Sequence, residues 1–290
     1  MRFRTGYFLF LLALAVVFGA AVNKKKFKVK EPKGFAFVPM GTVMYDEDTM
    51  SVQAFFMQTT EVTNIQYRTF LNDLKAKGDM EAYEKAMVDS TKWRLPNAYQ
   101  EPMVTYYFRH PAYDQYPVVN VSREGAELYC KWLSDKYKEE NPDVCCDFRL
   151  PYRAEWIMAA RGGYLNSPYP WGGPYLRNSK GSYMCNFNPL GAENIHKNQE
   201  TGEYEIVSAE TNGYIEDGAL STMIVGHYKP NEYGLFDMSG NVAEMVQEDG
   251  ICVGGSWKSP GYDVQVESVV KFTEANPMVG FRPVMTYLGR

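Results

Sequence analysis

Histidine is scarce in this chain, and what little there is lies scattered: His110, His196 and His227 are far apart and form no evident two-histidine, one-carboxylate set. That argues against a non-haem iron centre. No Gly-x-Ser-x-Gly occurs, so a serine nucleophile on a strand-to-helix elbow has no local signature. None of the five cysteines has Cys-x-x-Cys spacing, which removes support for a zinc site or a dithiol redox centre. A basic excess is missing too. With 30 Lys and Arg against 35 Asp and Glu, the net charge is -5, whereas nucleic-acid phosphates require a concentrated basic face. Internal repeats and low-complexity linkers are absent, so a single domain is expected.

What is present is aromatic and glycine-rich. The 22 tyrosines, 16 phenylalanines and 24 glycines, with few long periodic apolar runs, favour short strands and many loops over a helical bundle. At the N-terminus, Arg2 and Arg4 precede an apolar run from Tyr7 to Phe18, then Gly19-Ala20-Ala21. This is the pattern of an export signal cleaved after Ala21, the run being short for a membrane span. An uncleaved membrane anchor is the alternative. Cleavage would remove two arginines and no acids, taking the charge from -5 to -7. Residues 22–33 are lysine-rich and read as a solvated tether, or as a weak contact with anionic headgroups at a membrane surface. Residues 34–290 form the expected domain. Export permits disulfides, but five cysteines cannot all pair within one chain. Buried thiols with one or two bridges are expected.

Alternation and turn signals from Gly34 to Asn64 predict short antiparallel strands. The period then changes. Thr63 reads as the N-cap of a helix whose buried face is Ile65, Tyr67, Phe70, Leu71 and Leu74. After a polar connection, Ser122 caps a second amphipathic helix through Trp132. Pro151 leads into a third, stopped by Gly162-Gly163. The second half is loop-rich, with one hairpin turning at Thr201-Gly202. His110 is expected to be a structural hydrogen-bonding residue.

In this order, "QTTEVTNIQY", "YPVVNVS", "YCKWL", "RLPYRAEWIMAARGG", "YPWGG", "PNEYGLFDMSGNVAEM", "GGSW" and "GFRPV" resemble successive signatures of the formylglycine-generating enzyme, or sulfatase-modifying factor, domain. The resemblance spans about residues 34 to 285. It implies an α+β fold of C-type lectin-like character with little regular secondary structure. Enzymes of this family oxidise a substrate cysteine at a copper ion held by two thiolates, which follow Gly-Gly-Ser-Trp at the second and seventh positions. Here Ser259 and Val264 occupy those positions, and neither side chain offers the sulfur that Cu(I) selects. The family's Gly-Asn-x-Trp-Glu-Trp reads "GNVAEM", with Ala243 and Met245 in place of the rings. Ser256 and Trp257 remain. "VGGSW" is therefore expected to be packing: the glycines admit close backbone approach and the ring fills space. Rescue by Cys252 with Cys185 is not expected, and copper is not an expected cofactor.

The resemblance also implies two structural calcium ions. One would take the side chains of Asn186 and Asp217 with the carbonyls of Phe187 and Ala219. The other would take the Glu244 carboxylate with the carbonyls of Ser239, Gly240 and Val242. Calcium binds six to eight hard oxygens of these kinds.

Three classes of function follow. The first is a non-catalytic scaffold or binding protein of a bacterial envelope, periplasmic or outer, with other envelope proteins as partners. In its favour, "YFRHPAYDQYPVV" and "QTTEVTNIQY" resemble gliding-motility and type IX secretion lipoproteins of this superfamily. Those carry a lipidated cysteine after the signal, and no cysteine precedes Cys130 here. The second is an enzyme of the wider superfamily with non-copper chemistry, such as the ergothioneine-type sulfoxide synthases. The third is calcium-dependent glycan binding, favoured by exposed aromatics and opposed by buried ones.

Overall fold

A computed structural model describes residues 31–96, 99–189, 195–197, 201–202, 204–206, 219 and 221–289. The expected signal peptide at residues 1–21, the tether up to residue 30, and Asp217 lie outside the described residues. The first strands are short, as the alternation predicts: β1 (Phe35–Val38), β2 (Gly41–Tyr45), β3 (Asp48–Val52) and β4 (Phe55–Gln58). β2 and β3 form a hairpin. Its two turn residues, Asp46 and Glu47, both have positive φ (50° and 66°), the geometry that matches strand twist in a two-residue turn.

The chain's two ends meet in one antiparallel sheet. β12 (Val284–Gly289) lies between β4 and β5 (Cys145–Arg149), giving the order β1-β4-β12-β5. A second sheet runs β10-β9-β8-β11. It comprises β8 (Ala243–Met245), β9 (Ile251–Val253), β10 (Val269–Lys271) and β11 (Val279–Gly280). β8 and β11 are parallel, while the other pairs in this sheet are antiparallel. The predicted hairpin is formed by β6 (Ile195–Lys197) and β7 (Tyr204–Ile206).

The helices start where the sequence provides caps. α1 (Asn64–Lys77) begins at Thr63, whose hydroxyl accepts from the Gln66 amide while the Gln66 side chain accepts from the Thr63 amide. It ends at Gly78, which is left-handed with φ 75°. Its buried face differs at one position from the expected one. Ile65 is exposed, and Asn64 is buried instead, its amide donating to the carbonyls of Tyr107 and Tyr113. The polar connection that follows contains two short helices the pattern does not reveal, α2 (Met80–Ala86) and α3 (Glu101–Tyr106). Within it His110 caps a short turn, Nδ1 accepting from the Ala112 amide at 3.2 Å. Ser122 caps α4 (Arg123–Glu140), which runs well past Trp132. α5 (Arg153–Arg161) stops at Gly162, left-handed with φ 58°.

One apolar core joins the first sheet to α5 through Met57, Trp156, Ile157, Leu235 and Val253. A second joins α1 and α4 to the second sheet through Tyr67, Tyr129, Met245, Cys252 and Phe281. All five cysteines are free thiols, so the expected bridges do not form; only Cys145 is exposed. Small sulfur side chains fill apolar space here. No helix among the described residues is long and apolar enough to cross a membrane.

Candidate functional site

The loop after β9 shows why Val253–Asp263 is written as it is. Gly254 (φ 83°) leaves no room for a side chain, because a Cβ there would sit 2.9 Å from the Trp156 ring. At Gly255 (φ 66°) a Cβ would lie 2.5 Å from the Asp263 carbonyl oxygen. Both positions therefore need glycine for conformation and for space. Trp257 stacks over Trp93 at 6.4 Å, and its indole N–H donates to the Pro277 carbonyl at 3.0 Å. Ser259 Oγ accepts from the Ser256 amide at 3.0 Å and lies 3.3 Å from Ser256 Oγ. Val264 is fully buried against Tyr169, Tyr183, Cys185 and Phe187. Cys252 and Cys185 sit in different apolar clusters. Burial also pushes the Cys252 thiol up to about 12, where the thiolate is scarce. Ala243 and Met245 are absorbed into the apolar core around Tyr67 and Phe281.

Behind this floor lies a buried polar centre that the sequence reading did not assign. Arg282 is 0% exposed. Its Nε donates to both Glu244 oxygens, at 3.1 and 3.0 Å, and its Nη2 to Glu244 Oε1 at 2.7 Å. Trp156 Nε1 donates to Glu244 Oε2 at 2.7 Å. The remaining Arg282 donors reach the carbonyls of Gln58, Thr59 and Phe236. Two more carboxylates flank it. Glu61 is 0% exposed, with Oε1 accepting from Asn241 Nδ2 at 2.8 Å and Oε2 lying 3.9 Å from Arg282 Nη2. Asp237 Oδ2 accepts from the Gly226 amide at 2.5 Å. Glu61 Oε2 and Asp237 Oδ1 are buried without a hydrogen-bond partner. Burial first, and Asp237 second, holds the Glu61 carboxyl well above the ordinary range. Burial likewise raises Asp237. One clue was the charged Arg282 inside the apolar stretch "GFRPV".

Among the described residues, two of those expected to hold calcium, Asn186 and Gly240, are neighbours. Asn186 and Gly240 form a parallel bridge, and the Asn241 amide donates to the Asn186 carbonyl at 2.7 Å. Both protons of the Asn186 side-chain amide are engaged, by the Ser221 carbonyl and by Asn241 Oδ1, which leaves its oxygen as the atom that could meet a cation. Phe187, next in the chain, and Ala219 are both buried. An amide oxygen with main-chain carbonyls is the kind of donor set a hard cation takes. Around Glu244 the fit fails. Both carboxylate oxygens are occupied by indole and guanidinium donors, and the adjacent Arg282 charge opposes a cation. Ser239 Oγ donates to the Val264 carbonyl, while Gly240 and Val242 lie in the packed loop before β8. Among the described residues no group of three or more His, Cys, Asp or Glu side chains is placed to hold a metal.

Comparison with known proteins agrees with this architecture. The sulfatase-modifying factor enzyme 1-like domain family matches residues 20–287, and the chain belongs to that family. It is 26% identical over 218 residues to the formylglycine-generating enzyme of Bos taurus, covering 69% of this chain and 50% of that protein. The chain thus spans about half the length of that relative. It is also 26% identical over 236 residues to the inactive C-alpha-formylglycine-generating enzyme 2 of Bos taurus, covering 72% of this chain and 67% of that one. The solved structure of PvdO from Pseudomonas aeruginosa shares the fold with a TM-score of 0.55 at 19% identity, over 89% of this chain and 97% of that one.

Proposed function

We propose that this domain is a non-catalytic scaffold or binding protein, exported to a bacterial cell envelope. The observation that carries the reading is the state of the two copper-ligand positions. Ser259 is hydrogen-bonded within its own turn and Val264 is sealed in an apolar cluster, so the loop is spent on packing. A relative described as inactive supports the idea that this family retains its fold without the oxidation. The export signal at residues 1–21 and the lysine-rich tether at 22–33 support delivery to an envelope. Other envelope proteins are the proposed partners.

The same proposal includes one structural calcium ion, held by the Asn186 side chain, the Phe187 and Ala219 carbonyls and the Asp217 carboxylate. Such an ion neutralises a loop carboxylate and ties together a region with few strands. Binding only the folded state, it stabilises in proportion to the logarithm of its concentration over its dissociation constant.

Crosslinking in intact cells, followed by purification through this chain, tests the role. A stoichiometric complex that can be rebuilt from purified envelope components supports it. Recovery of a free monomer that turns over a small molecule would replace it with the enzyme reading.

A further inference from the structure

A cavity of about 530 Å³ opens between the loops of residues 164–184 and the segment Tyr228–Glu232. Neither Ser259, Val264, Trp257 nor any expected calcium ligand lines it. Five ring side chains do: Tyr164, Trp171, Tyr183, His227 and Tyr228. Pockets of this size, walled by aromatics with a few polar groups, are the usual form of a small-ligand site.

The rings are held before any ligand arrives. Trp171 lies flat against the buried Tyr169, with centroids 5.0 Å apart and planes 4° apart. Its indole N–H is spent on the Tyr175 carbonyl at 2.9 Å, so its share of the cavity lining is apolar ring carbon. Tyr183 accepts from Arg177 Nη2 at 2.6 Å and carries that guanidinium 3.9 Å from its ring centre. The Tyr164 ring rests on Gly172, where a Cβ would come within 3.0 Å, and its hydroxyl donates to Glu232 at 3.3 Å. Fixed rings lose little conformational entropy on binding.

The polar lining narrows the ligand. Lys229 and Glu232, the formally charged lining side chains, are of opposite sign, and the nearby Arg177 guanidinium is engaged by Tyr183, so the lining itself selects neither a phosphate nor a cation. Asn178 Oδ1 is taken by the Lys180 and Ser182 amides, which leaves its NH2 as a donor beside the Ser182 hydroxyl. Among the described residues none of the strands β1–β12 lines the cavity, which offers an extended peptide little backbone to pair with. Flat apolar walls with neutral donors and acceptors between them suit a ring whose faces are C–H and whose rim is hydroxyl. We propose that this cavity binds a short neutral saccharide, with the Trp171 ring as the stacking platform. The inference stands apart from the scaffold role.

The test uses the full-length protein with maltotriose, cellotriose and tri-N-acetylchitotriose as probes, read by saturation-transfer NMR and tryptophan fluorescence. At least one should bind saturably. Trp171→Ala and the plugging variant Ser182→Trp should each weaken that binding by about tenfold or more, equivalent to ~1.4 kcal/mol. Tyr99→Ala, which removes an exposed ring outside the cavity, should leave it unchanged. Ser182 is exposed, so its variant keeps the test valid if Trp171→Ala does not fold. Three results would each overturn the proposal: no saccharide bound at millimolar concentration, affinity unaltered in both cavity variants at wild-type melting temperature, or binding of a decaproline peptide in place of every saccharide.

Discussion

Glu244 on β8 and Arg282, two residues before β12, form a fully buried ion pair with donor–acceptor distances of 2.7 to 3.1 Å. The pair joins the two sheets, because Arg282 also holds the carbonyls that end β4. Removing one partner of a buried, hydrogen-bonded pair strands the other charge and costs about 3–5 kcal/mol. Arg282→Met should therefore lower unfolding free energy by about that amount in urea titration. A loss below about 1 kcal/mol, the scale of an exposed ion pair, would remove the pair from its structural role.

The pH dependence should carry the signature of Glu61. Burial and the Asp237 charge raise its folded pKa above the ordinary 4.5, while Arg282 opposes the shift and Glu244 adds to it. Between the unfolded and folded values the native state binds more protons than the unfolded state, so stability falls as pH rises through that window. Asp237, raised from 3.8, acts in the same sense. Glu61→Gln keeps an acceptor for Asn241 and removes the ionisation. It should be more stable than wild type at neutral pH, because the buried ionisation is gone. The fall of stability with rising pH above the ordinary carboxylate range should flatten as well. A variant that is less stable than wild type at neutral pH, with the slope intact, would refute this.

Two glycines separate conformational strain from steric exclusion. At Gly240 (φ 73°) a Cβ would lie 2.1 Å from the Asn186 carbonyl oxygen, whereas at Gly234 (φ 78°) nothing stands within 4 Å. Gly234→Ala should cost only the left-handed conformation, about 1–2 kcal/mol. Gly240→Ala should cost distinctly more, since backbone must move. Equal costs by thermal denaturation would mean the Asn186–Gly240 junction yields freely.

Calcium should act through Asn186 and Asp217 and not through Glu244. At a hundredfold excess over its dissociation constant one ion adds about 2.7 kcal/mol. Chelation of metal-loaded protein should lower the melting temperature, and Asp217→Ala or Asn186→Ala should abolish that response. Glu244→Gln lowers the starting stability but should leave the calcium-dependent increment in place. Loss of the increment in Glu244→Gln alone would reverse the assignment.

Much of the fold was legible because its helices announce themselves locally. Thr63 with Gln66, Ser122 with Gly125, and Gly162 each satisfy orphaned backbone groups within four residues, and that is information a sequence carries. The helices Met80–Ala86 and Glu101–Tyr106 were missed because seven and six residues are too few to display a 3.6-residue period. Ile65 misled because it shares the apolar stripe by spacing, yet Asn64 is the side chain drawn inward by two carbonyls more than forty positions away. The central charge cluster failed to show for the same reason. Glu61, Asp237, Glu244 and Arg282 become neighbours only when β4, β8 and β12 assemble, and each alone reads as an ordinary charged residue.

The central claim, that the former copper loop is now packing, is tested most directly by Cu(I) competition. Purified protein is titrated with Cu(I) held by bicinchoninate, alongside an assay for formylglycine in a sulfatase-type cysteine peptide. The account predicts that no copper leaves the chelator and no aldehyde forms. One equivalent of tightly held Cu(I), with turnover that disappears in Cys252→Ala, would contradict it.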